Sequence, residues 1–131
     1  MRDINYLAVV VAAVAAFVLS TAWYIAFAKQ RAELSATAMA DMKKPQPIKM
    51  LVEIVRSIVL ATVLAYFVVR LGITDWPAAI QFSVLAWIGF PVLLLAGSVM
   101  WENVPWKLAA IHAGDWLLKI LLMVAILSQW R

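Results

Sequence analysis

Three ionisable residues, His112, Asp115 and Lys119, lie inside an apolar stretch that runs from Trp106 to Gln129. Such a stretch can cross a bilayer, and an ionisable group at membrane depth costs from ~3 to more than ~10 kcal/mol, so it rarely sits there without a partner. At about 100° per residue, the three fall within roughly 60° of one another on a helix. They form a polar stripe that must face protein or water. A second set, Glu53 and Arg56, stands near the start of an earlier apolar run, three residues apart and so on one helical face, with Ser57 beside them. Membrane-embedded Glu, Asp, His and Lys are the usual parts of proton relays and ion paths, and His changes charge near neutral pH. The same groups also build plain salt-bridge networks that fix helix order and rotation. Nothing in the sequence supports catalysis: there is no Ser-His-Asp order, metal triad or glycine-rich phosphate loop.

The rest of the composition fits elements that would hold such a stripe in lipid. The chain has 131 residues, of which 66% are hydrophobic and 14% charged. A soluble domain of this size cannot hide that much apolar surface, whereas a multi-span membrane protein can. There is no cysteine and one histidine, which removes disulfides and thiolate chemistry and argues against a metal site; no cofactor is expected. The formal charge of +4 comes from basic residues that stand mostly between apolar runs, so it reports orientation rather than nucleic-acid binding.

Four runs are long enough to span, at about 5–27, 50–71, 77–100 and 106–128. The fold expected is all-α: a polytopic, antiparallel bundle of four transmembrane helices forming one membrane domain over 1–131. The first run is too long for the apolar part of a signal peptide and reads as an uncleaved span. Along it Ala8, Ala12, Ala16 and Ser20 recur every four residues, a ridge of small side chains on which another helix can close. Trp23 and Tyr24 end this span, and Trp101 and Glu102 precede the fourth; these four read as interface anchors. Residues 28–49 form the one substantial polar segment, expected to begin as a helix and to break at Lys43-Lys44-Pro45-Gln46-Pro47. In the third span Pro91 predicts a kink, and Gly89 and Gly97 predict a flat patch for packing.

The two loops on one side carry Lys29, Arg31, Lys43, Lys44, Lys49 and Lys107, whereas the side of the termini carries Arg2, Arg70 and Arg131. The positive-inside rule then puts the 28–49 loop in the cytoplasm and both termini outside. The second and fourth spans start on the same side. At 1.5 Å per residue, Arg56 and His112 lie about 9 Å in and Asp115 about 13 Å in. Glu53, Arg56, His112, Asp115 and Lys119 are therefore expected to face the bundle interior, with Arg56 against Asp115.

Several short pieces resemble a small four-span bacterial membrane family, the domain of unknown function seventeen-sixty-one. They are Asn5-Tyr6-Leu7, Trp23-Tyr24, Trp87-Ile88-Gly89-Phe90, Trp101-Glu102, His112-Ala113-Gly114-Asp115-Trp116 and Leu121-Leu122-Met123. The chain departs from the family's pattern at Asp115, where an aromatic or apolar residue is expected. The resemblance implies the fold and a bacterial cytoplasmic membrane, and it implies no activity. The function expected is non-enzymatic: a structural or accessory subunit that packs with itself or with a larger membrane complex in the lipid bilayer. The alternative is an oligomeric proton-linked transporter or channel-like protein that uses the stripe of spans 2 and 4.

Overall fold

The computed structural model describes residues 4–34 and 47–130. Most of the expected break at Lys43-Lys44-Pro45-Gln46-Pro47 lies outside them. Among the described residues six α-helices follow in order: α1 (Tyr6–Ala26), α2 (Ala28–Leu34), α3 (Pro47–Leu71), α4 (Trp76–Trp87), α5 (Leu93–Trp101) and α6 (Trp106–Gln129). A π-helical turn, Ile88–Val92, joins α4 to α5, so those two make one span. The four spans so formed are long and apolar enough to cross a membrane, and no strand occurs among the described residues. The protein is an all-α, polytopic four-helix membrane bundle.

Local chemistry sets the ends of these helices. Asn5 caps α1, its side-chain carbonyl accepting from the Ala8 N–H at 3.2 Å. Phe27 interrupts the helix for one residue and α2 resumes at once. α3 begins at Pro47 rather than at Met50, because a proline in the first turn has no helical N–H to lose. It ends at Gly72, whose φ of +65° suits a residue without a Cβ. The N–H groups of Gly72 and Ile73 bond back to Val69 and Val68, which closes a Schellman motif. The expected disturbance at Pro91 is the π turn: proline cannot donate and its ring crowds the preceding turn, so the backbone widens there.

The last span organises the packing. α6 contacts α1, α3 and the α4–α5 span, and it has the largest buried share, 39% of its most apolar window against 11% for α4–α5. α1 runs antiparallel to it, with Ser20 opposite Asp115 and Tyr24 opposite His112. α1 also packs on α3. The small-residue ridge explains this closeness: Ala8, Ala12 and Ala16 are all fully buried. Gly89 and Gly97, by contrast, have nothing within 4 Å of where a Cβ would stand, so none of the described helices packs on them.

Candidate functional site

Asp115 is the centre of the polar stripe and is 3% exposed. The Ser20 hydroxyl donates to its Oδ1 at 2.5 Å, within the short range of hydroxyl–carboxylate bonds. Lys119, one turn further along α6, places Nζ 3.4 Å from Oδ2. The same ammonium lies 4.3 Å from the Trp116 ring centre, so it is held between a carboxylate and an aromatic face. Tyr24 completes the set, its hydroxyl 2.7 Å from His112 Nδ1 and 3.4 Å from Asp115 Oδ2. The stripe on α6 is thus satisfied by its own lysine and by two hydroxyls from α1.

Arg56 does not take part in this contact. It pairs with Glu53 on its own helix, and both side chains are about half exposed, 57% and 46%. The expected Arg56–Asp115 pair is therefore replaced by two intrahelical pairs, Glu53–Arg56 and Asp115–Lys119. Each is available one turn away without any demand on how the helices are rotated. Spans 2 and 4 are neighbours as expected, but Glu53 and Arg56 border an opening rather than the packed interior.

That opening is a cavity of about 800 Å³ between α1, α2, α3 and α6. Its lining includes Ser20, Tyr24, His112, Asp115 and Lys119 on one side, and Lys49, Glu53, Arg56 and Ser57 on α3. Arg31 of α2 stands at the same place with its guanidinium 4.4 Å from the Tyr24 ring centre. Its Nε is buried without a hydrogen-bond partner. All five residues singled out in the sequence border this one cavity. Sequence reasoning missed Ser20, Tyr24 and Arg31 as members of the site. Ser20 and Tyr24 continue the four-residue ridge of α1, so the change from Ala to hydroxyl along one face was the available signal. Arg31 had none beyond its charge.

Two tryptophans clamp α6 beside the stripe. Trp23 donates to the Ile111 carbonyl at 2.9 Å and Trp87 to the Ala113 carbonyl at 2.8 Å. Buried indole N–H groups need such acceptors in lipid. Trp23 fits because Gly114 has no side chain: a Cβ there would be 2.5 Å from Trp23 Cζ2. Trp23 and Tyr24 thus turn their polar atoms towards α6, while Trp101 remains 82% exposed and Glu102 is also exposed.

Chemically, the Tyr24 hydroxyl has one proton and two acceptors in reach. With His112 Nδ1 bare, Tyr24 donates to it; with Nδ1 protonated, Tyr24 accepts and can donate to Asp115. The arrangement can relay a proton between His112 and Asp115. Among the described residues no group of three His, Cys, Asp or Glu side chains could hold a metal ion.

The fold and the site define a small integral membrane bundle with a polar cavity at one end. The chain belongs to the family described as protein of unknown function DUF1761, whose pattern matches residues 7–128. No curated protein and no solved structure matches it. Trp23-Tyr24, Trp87 and His112 to Trp116, three of the pieces on which the resemblance rests, meet around this one stretch of α6.

Proposed function

We propose that this protein is a non-enzymatic, ligand-binding membrane protein whose site is the cavity between α1, α2, α3 and α6, with proton exchange through His112, Tyr24 and Asp115. One observation carries this reading. The hydrogen-bonded carboxylate is a wall of an 800 Å³ cavity rather than sealed inside the helix seam. A network that served packing alone would have no need of that space, since lipid-facing bundles gain stability from close contact. A linked proton and ligand in one cavity is the chemistry of a carrier, and the 28–49 side, where the cavity lies, is the cytoplasmic side of a bacterial inner membrane on loop charge.

A second reading, an accessory subunit that assembles with itself or with a larger complex, draws on the α4–α5 span. Nothing among the described residues packs on Gly89 or Gly97 of that span, and only 11% of its apolar window is buried.

The absence of cysteine makes the test direct. In native membranes, Ser57→Cys places a thiol on the cavity wall, whereas Ser83→Cys places one at a fully buried site outside the cavity lining. A charged, membrane-impermeant thiol reagent should label the first and not the second, and only from the cytoplasmic side. Equal inertness of both thiols would mean that water does not reach the cavity, and the accessory reading would replace the binding one.

A further inference from the structure

Of the charged side chains that line the cavity, Glu53 is engaged by Arg56 and Asp115 by Lys119. Arg31 is in neither pair. Its guanidinium carbon stands over the Tyr24 ring, 4.4 Å from the centre, and its Nε is buried with no acceptor. A buried donor left in this state is destabilising until an acceptor meets it, and a guanidinium is shaped to take two oxygens of one anion.

Position narrows the anion further. Arg31 follows the end of the first span, and Lys49 stands in the first turn of the second, which is the depth of the lipid headgroups. The lining there is also partly apolar, with Ile25, Ile48 and Val52. We infer that the cavity binds an anionic phosphate group, with Arg31 as its anchor. A phospholipid headgroup and a free phosphate share this chemistry. The inference rests on the cavity being a ligand site, and it adds the class of ligand.

The full-length chain, purified in a neutral detergent, can be presented with dioctanoyl phosphatidate, dioctanoyl phosphatidylcholine and inorganic phosphate. Bound lipid is counted by native mass spectrometry, and phosphate is followed by its effect on Tm and on lipid occupancy. Phosphatidate should half-occupy the protein at a concentration about tenfold or more below that of phosphatidylcholine, the factor expected for charge-assisted bonds. Arg31→Gln should abolish the preference, and Arg31→Lys should keep part of it. Arg70→Gln, an exposed site at the other end of α3, should leave it unchanged. Displacement of phosphatidate by inorganic phosphate would identify free phosphate as the source; resistance to displacement would identify the lipid. Equal occupancy by the two lipids in the native chain overturns the inference, as does a preference that survives Arg31→Gln or falls equally with Arg70→Gln. If the Ser57 thiol labels while no preference is seen, the site stands and only the ligand class is lost.

Discussion

Gly114→Ala is a small change whose consequence follows from distances. The added Cβ would stand 2.5 Å from Trp23 Cζ2 and 2.9 Å from Cη2, whereas carbon atoms rest at ~3.5–4.0 Å. The indole must therefore retreat by about 1 Å. It is not free to do so, because its N–H is bonded to the Ile111 carbonyl and its other side packs on Phe27, with ring centres 4.7 Å apart. Overpacking of this kind costs ~1–3 kcal/mol, and losing the indole bond adds about 1 kcal/mol. Alanine returns up to ~1 kcal/mol through its better helix propensity. The net expectation is a loss of about 1–3 kcal/mol, read by titrating the folded protein with a denaturing detergent and following helicity and tryptophan emission together. Gly97→Ala is the control: with nothing within 4 Å of its Cβ, it should be neutral or stabilising. Trp23→Phe removes the clashing atoms, so Gly114→Ala should cost little in that background. If Gly114→Ala is as stable as Gly97→Ala, or costs the same with Phe at position 23, the close approach of Trp23 to α6 is wrong.

Other expectations follow from the same packing. Ala12→Leu and Ala16→Leu, at two fully buried positions, should each lower stability by ~1–3 kcal/mol, while Val14→Leu, 58% exposed, should not; equal behaviour in thermal unfolding would remove the α1 seam. Asp115→Leu should cost roughly 3–5 kcal/mol because it strands Lys119, and the Asp115→Leu/Lys119→Leu pair should cost clearly less than the two singles together. Arg56→Leu should combine with Asp115→Leu additively, within about 0.5 kcal/mol; a double variant that recovers stability would restore the interhelical pair that the structure replaces. Phosphatase fused after Arg131 should be active and phosphatase placed in the 28–49 loop inactive, and the reverse pattern would invert the orientation.

The spans and five of the residues around the cavity were legible because lipid punishes both exposed backbone and unpartnered charge. Those two costs act on composition and spacing alone. Depth was legible too: a fixed rise per residue brought Glu53, Arg56, His112 and Asp115 to one end, and all four border one cavity there. What spacing could not supply was the rotation of α3 about its axis. An Arg56–Asp115 bond would have required that rotation, but Arg56 already has Glu53 one turn away and Asp115 already has Lys119.

This division has a physical logic. An intrahelical pair is complete as soon as its own helix forms, so neither charge must cross lipid waiting for a partner on another span. The seam between helices is then left to groups that are inexpensive to bury alone, the methyls of Ala8, Ala12 and Ala16 and the hydroxyls of Ser20 and Tyr24. A hydroxyl can donate to a carboxylate without bringing a second charge into the membrane. Arg31 is the exception to this economy. Its Nε has neither an intrahelical partner nor an acceptor across the seam among the described residues, and it stands at the edge of the cavity, where an anion can meet it.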